Sequence, residues 1–180
     1  MNGRKLMKSS KRILAAVLAV VMMVSLMPRQ EITVVADDTT PYVISLGRAT
    51  YSSSANGNAT SDNAVDGDAS TRWESAWGNE KEWFYVDLGK TAQINSIYIK
   101  WEGAYATQYD IQVSNDEETW NTVYENLTCN GGEETITLSA SARYVRINLN
   151  KKALSAYGYS FFEFQVIIFS SMYFNEHVSS

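Results

Sequence analysis

The run Asn63-Ala64-Val65-Asp66-Gly67-Asp68-Ala69-Ser70-Thr71-Arg72-Trp73 concentrates the side chains best suited to holding a hard cation. Asp66, Asp68 and the Thr71 hydroxyl offer oxygen donors at close spacing, the donor type that calcium takes. Gly67 and its small neighbours make the run a loop rather than a helix or strand. It is not an EF-hand, because the twelfth position counted from Asp66 is Trp77 and not Glu. The same residues also suit an Asx-type turn without metal. On these residues alone both readings stand.

A second chemistry is carried by aromatic residues outside any strand-like alternation. Sugars present apolar C–H faces and many hydroxyls, so a sugar site pairs an aromatic platform with a few polar groups. Trp77 lies beside Gly78 and Asn79, Tyr157 and Tyr159 flank Gly158, and Glu102 follows the apolar segment Ile97–Trp101. A carboxylate in such a place suits a cationic amino sugar through charge-assisted hydrogen bonds. Trp73, Trp83, Trp101 and Trp120 lie in or next to strand-like segments and are expected in the core, and Tyr105 and Tyr159 are expected as core or corner residues. Other chemistries lack their residues. With Cys129 as the lone cysteine and His177 as the lone histidine, no intramolecular disulfide, Cys–His pair, Ser–His–Asp triad or His/Cys zinc site is expected. Acidic residues are plentiful, but none forms a recognisable glycosidase pair.

The elements that must position these residues are short strands. Phe84, Val86 and Leu88 alternate with Tyr85 and Asp87, and Ile97, Ile99 and Trp101 with Tyr98 and Lys100. The same period of two runs through Tyr109–Val113, Ile136–Leu138, Val145–Leu149 and Phe162–Val166. Val43–Tyr51 is expected as a first strand. Turns at Leu88-Gly89-Lys90, Ser114–Glu117 and Asn130-Gly131-Gly132 separate the later segments. Alternating strands at regular spacing, with no amphipathic helix, predict an all-β sandwich or barrel.

The ends are of a different character. Arg4, Lys5, Lys8, Lys11 and Arg12 precede the apolar run Ile13–Met27, and Val34-Val35-Ala36 offers small residues for cleavage. Residues 1–36 are therefore expected to be a cleaved signal peptide, the apolar run being short for a bilayer span. Residues 37–45 form a polar linker, 46–166 the folded module, and 167–180 an atypical apolar tail, expected as a strand extension or a disordered appendage. Without residues 1–36 the net charge becomes −10. A chain this acidic does not suit nucleic acid or anionic membranes, and favours neutral or cationic partners. A secreted, cysteine-poor, acidic chain points to a bacterial extracellular protein, expected as a monomer.

Several segments resemble one family in order. Ala64-Val65-Asp66-Gly67-Asp68…Thr71-Arg72-Trp73, then Trp83–Gly89, Trp101–Ala106, Tyr109–Ser114 with Trp120, Arg143–Ile147 and Tyr157–Ser160 with Glu163–Val166 are similar to the discoidin, or coagulation factor V/VIII type C, domain. Within it, the chain most resembles bacterial carbohydrate-binding modules of family 32. The resemblance implies a jelly-roll (discoidin-like) β-sandwich that binds glycan without catalysis, with amino-sugar or β-glucan chains as candidates. It also implies a structural calcium held by the Asn63 carbonyl, the Asp66 and Asp68 side chains, Thr71 through carbonyl and hydroxyl, and the Glu163 carboxylate. Positions matching Trp77, Glu102 and Tyr157 line the binding face of similar modules. Ala55 departs from the pattern, since some chitosan-binding relatives carry an acid there. The alternatives are a protein or cell-surface adhesion domain and, further off, a glycoside hydrolase.

Overall fold

The structure is a computed structural model and describes residues 40–170. The expected signal peptide at 1–36 and residues 171–180 of the tail lie outside the described residues. Eight antiparallel strands follow in order: β1 (Thr40–Val43), β2 (Ala49–Ser52), β3 (Trp73–Glu74), β4 (Glu82–Trp101), β5 (Ala106–Ser114), β6 (Asn121–Asn126), β7 (Glu133–Lys152) and β8 (Ser160–Ser170). The only helical element among the described residues is a 3-10 turn at Ser61–Ala64.

The two long strands build both layers of the sandwich. The first half of β4 pairs with β2 and with the second half of β7, which continues into β5 and β6. The second half of β4 pairs with the first half of β7 and with β8, which carries β1 and β3. Between the halves the β4–β7 register slips from Asp87 to Ala92, where Gly89 takes a φ of 80°. Arg143 closes this corner with a bidentate grip on Asp87, at 2.8 and 2.7 Å. The alternation then does the packing. Phe84, Val86, Ile111, Val145 and Ile147 of one layer are buried against Ile97, Ile99, Phe161 and Phe164 of the other. Phe84 meets Phe161 and Phe164 across the layers at 5.2 and 5.4 Å. Buried aromatic pairs of this kind add to the area they remove from water.

Four expectations need correction. Val43–Tyr51 is not one strand: the chain turns at Gly47, φ 64°, and gives β1 and β2 separate partners. The supposed linker contains β1, while the first part of the tail extends β8, one of the two outcomes expected of it, and is the partner of β1, with Thr40 opposite Ser170 and Val43 opposite Ile167. Two segments that lack neighbours in sequence thus satisfy each other's backbone groups at the edge of a layer. In β8 the core residue is Phe161 rather than Phe162, because the register shifts between Lys100 and Trp101 and one residue bulges. Trp73 and Trp101 are buried, but Trp83 and Trp120 are only half-buried, on the outward face of the β2–β4–β7–β5 layer.

Candidate functional site

The cation-loop residues come together, but their donors are turned on one another. The Asp68 and Thr71 donors both serve Asp66: the Asp68 N–H reaches Oδ1 at 2.8 Å and the Thr71 hydroxyl reaches Oδ2 at 2.7 Å. Asp68 Oδ1 accepts from the Ser70 hydroxyl and N–H, which hold its carboxyl below the usual carboxylate range. Asn63 ties the loop down, its side-chain amide donating to the Asn58 and Arg72 carbonyls at 3.2 and 3.0 Å. Gly67 turns the loop at φ 78°. Among the described residues no three acidic, histidine or cysteine side chains form a ready-made metal cluster.

Glu163 is the exception to this mutual satisfaction. It lies on the outer side of β8, is 4% exposed, and neither carboxylate oxygen has a hydrogen-bond partner. Burial pushes its pKa up, and with the charges of Asp66 and Asp68 it outweighs the opposing pull of the nearby Gln165 side chain and Gly67 N–H. An unpartnered buried carboxylate facing two more acids is costly unless a cation joins them. The donor set is all oxygen, as a hard divalent cation requires. The expected ligands therefore fit such an ion in chemistry.

The three expected glycan-site residues also converge. A cleft of about 300 Å³ is lined by Arg72, Glu74, Glu102, Gly103, Ala104, Leu154 and Tyr157. Trp77 stands beside it, 57% exposed, and meets the Tyr157 ring edge to face at 5.5 Å. Each arrives from a different element. Glu102 leaves the end of β4, and its Oε2 accepts from the Ala104 N–H at 2.9 Å and the Ser160 hydroxyl at 2.8 Å. Trp77 is aimed by its indole N–H, which donates to Glu74 Oε1 at 2.6 Å. Glu74 Oε2 in turn accepts from Arg72 at 2.9 Å. Burial opposes ionisation of Glu74 and Glu102, yet hydrogen bonds and Arg72 outweigh it and hold both pKa values below the ordinary 4.5. The cleft thus offers two carboxylates, one guanidinium and two exposed rings.

Arg72, Glu74 and Leu154 were not foreseen from sequence. Arg72 and Glu74 flank Trp73, and in an extended strand neighbours of a buried residue point the other way. That alternation was available. The opening of the cleft depended on β3 pairing with β8, which no local pattern encodes.

The two aromatic loops are joined beneath the surface. The Ser75 N–H donates to the Tyr159 carbonyl at 2.8 Å, and the Tyr159 N–H donates to the Ser75 hydroxyl at 2.9 Å. The Tyr159 hydroxyl donates to the Glu80 carbonyl on the far side of the Trp77 loop. Ser54 and Asn79 donate to the buried Glu82 carboxylate, each at 2.8 Å.

Residues 48–164 match the F5/8 type C domain family. Chitosan-binding module 1 of a chitosanase/glucanase from Paenibacillus sp. IK-5 is 39% identical, with a TM-score of 0.67 over 69% of this chain and 98% of the module. Chitosan-binding module 2 of that enzyme, solved with chitotriose, is 43% identical, with a TM-score of 0.65 over 68% of this chain and 98% of the module. The family 32 module of C. perfringens NanJ, solved with galactose, shares the fold at 23% identity, with a TM-score of 0.64 over 71% of this chain and 99% of that module. A curated relative, the polysaccharide lyase 8 family protein HylA of Enterococcus faecalis, is 36% identical over 72 residues, 40% of this chain. The match spans 5% of that relative's length.

Proposed function

The chain belongs to the F5/8 type C domain family, and we propose that it is a secreted, non-catalytic carbohydrate-binding module that attaches a bacterial enzyme or cell surface to glycan. The observation that carries this reading is the convergence of Trp77, Tyr157 and Glu102 around one open cleft. Exposed rings at right angles offer apolar faces to a pyranose ring, and the ionised Glu102 suits an ammonium or hydroxyl group. The likeness to two chitosan-binding modules makes a glucosamine chain the first ligand to test, with β-glucan second. Glu74 holds Trp77 and Arg72 in place, so it positions the site.

Calcium is part of this proposal. The Asn63 and Thr71 carbonyls, the carboxylates of Asp66, Asp68 and Glu163, and the Thr71 hydroxyl would hold it. When bound, it supplies positive charge to a buried carboxylate that otherwise has no partner. Its role is structural, joining the early loop to β8.

The test is a glycan array on the purified full chain, followed by titration with chitotriose and a β-glucan oligosaccharide. Binding without hydrolysis is expected. Turnover of any oligosaccharide would reject the non-catalytic reading, and silence on glycans with binding to a protein would favour the adhesion alternative. Trp77→Ala should weaken binding at least tenfold while stability falls by no more than about 1–3 kcal/mol, the cost of leaving the buried Glu74 carboxylate one donor short. A larger stability loss would place Trp77 among the packing residues instead.

A further inference from the structure

The outward face of the β2–β4–β7–β5 layer carries a second set of groups that the cleft does not use. Its cross-strand register is regular. One row runs Tyr51, Tyr85, Arg146, Gln112 across the four strands, and the next runs Trp83, Asn148, Asp110. The β2–β4 side is aromatic. Tyr51 stacks on Tyr85 at 4.9 Å and Trp83 on Tyr85 at 5.6 Å, while Trp120 folds down from the β5–β6 turn to 5.5 Å from Tyr85. Trp83, Tyr85 and Trp120 stay half-buried and Tyr51 is 48% exposed.

The β7–β5 side is a connected polar array. Asp110 accepts from Gln112 and Asn148 at 3.1 Å each, and also from Asn150. Gln112 accepts in turn from Arg146 Nε at 2.9 Å, and the Arg146 guanidinium lies over the Trp120 ring at 4.0 Å. Every polar group here is half-buried and fixed by its neighbours, so little side-chain entropy remains to be lost on binding. Within the array the charges balance, since Asp110 faces Arg146 and Arg143 is paired with Asp87 at the margin, but Glu125 stands opposite Asp110 on β6 without an ion-pair partner among the described residues. Glu117 remains at the rim, accepting from the Tyr85 hydroxyl at 2.9 Å.

We propose that this face is a second glycan-binding surface that takes an uncharged pyranose chain laid across the strands, distinct from the Trp77–Tyr157 cleft. Charge balance selects the occupant. A face with no surplus of cations does not attract phosphate or sulfate polymers, and its unpaired acids, Glu117 and Glu125, lie on the turn and strand that flank the charge-balanced amide array rather than within it. Fixed amide and carboxylate groups match the donor and acceptor pattern of hydroxyls. The adjoining rings offer the apolar surface that C–H faces need. Four strands at about 4.8 Å spacing give a platform roughly 14 Å across, long enough for a chain of several sugar rings.

The full chain is titrated with cellohexaose and with laminarihexaose and followed by indole and side-chain amide NMR signals. The proposal expects the Trp83 and Trp120 indoles and the Gln112 and Asn148 amides to shift with at least one hexasaccharide, and to do so equally in a Trp77→Ala chain. It expects a Gln112→Ala/Asn148→Ala chain to bind that hexasaccharide at this face at least fivefold more weakly, with its melting temperature recorded alongside. If only the Trp77 indole moves, or no signal moves with either sugar, the second surface is rejected. Chitotriose, read at the Trp77 indole, tests the cleft separately, so failure of one site is distinguishable from failure of the other.

Discussion

Gly158 has no room for a side chain: a Cβ there would lie 2.0 Å from the Ser75 carbonyl oxygen. The close approach lets the Ser75–Tyr159 hydrogen bonds form, and with them the fixed relation of Trp77 to Tyr157. Gly158→Ala must therefore separate the two loops. It is expected to lower the melting temperature and to cost more glycan affinity than Leu154→Ala, which removes a cleft-lining side chain without moving backbone. Equal losses for the two substitutions would show that loop registry is unimportant. The acids of the cleft set the pH response. Glu74 and Glu102 have folded pKa values below 4.5, so they are ionised at and above that pH, and their contribution is lost as pH falls through the lowered values. Affinity for a cationic amino-sugar chain is accordingly expected to hold on acidification to pH 4.5 and to fall below it. Calorimetric titrations across that range check this, and a decline already complete above pH 4.5 would remove Glu102 from the site.

β8 shows how one residue of register redistributes a core. Phe161 is fully buried and contacts Trp73, Phe84 and Trp101 at 4.9 to 5.8 Å, whereas Phe162 is half-buried on the bulge. Phe161→Ala is expected to cost about 3–5 kcal/mol, the usual range for a buried phenylalanine, and Phe162→Ala much less. Urea denaturation of the two variants distinguishes them, and the reverse order would restore the simple alternation Phe162, Phe164, Val166. Where strands keep register, the sequence was enough: Phe84–Val86, Ile97–Ile99, Tyr109–Ile111 and Val145–Leu149 all bury the residues their alternation marks. A bulge leaves no local mark, since Phe161 and Phe162 are chemically identical. The turn at Gly47 was hidden inside an apolar stretch, and β1 was invisible because its partner lies far along the chain. For Trp83 and Trp120 the residue type misled. Large aromatics usually signal a core, but these two sit on the outward parity of their strand or in a turn that folds onto that face. Trp77, Glu102 and Tyr157 were legible as loop residues of the right chemistry, while their meeting required β3 and β8 to pair.

That pairing also connects the Asn63–Thr71 loop to the cleft. β3 is two residues long, follows directly from Thr71 and Arg72, and pairs with β8, with Trp73 opposite Phe161 and Glu74 opposite Ser160, while on its other edge Glu74 exchanges backbone hydrogen bonds with Ala59 and Asn56 at 3.1 and 2.8 Å. The same short ladder thus has the cation loop at one end and the cleft at the other. Glu163 lies three residues beyond Ser160, whose hydroxyl holds Glu102, and Glu74 aims Trp77. Without a cation, the unpartnered Glu163 and its acidic neighbours repel one another across this ladder. A bound calcium would draw the loop and β8 together and fix β3 between them. Calcium is therefore expected to raise glycan affinity as well as the melting temperature, and by linkage the glycan must raise calcium affinity by the same factor. A coupling of about fivefold is at the low end of what such linkage produces. Calorimetry of chitotriose in calcium and in chelator, then of calcium with and without chitotriose, measures both arms. A calcium-dependent melting temperature with unchanged glycan affinity would show that the β3–β8 ladder is rigid enough without the ion, and would confine calcium to stability. If neither quantity responds to calcium, the Asn63–Thr71 loop is a self-satisfied turn, as its internal hydrogen bonds allow, and Glu163 is an uncompensated buried acid whose replacement by glutamine should stabilise the chain.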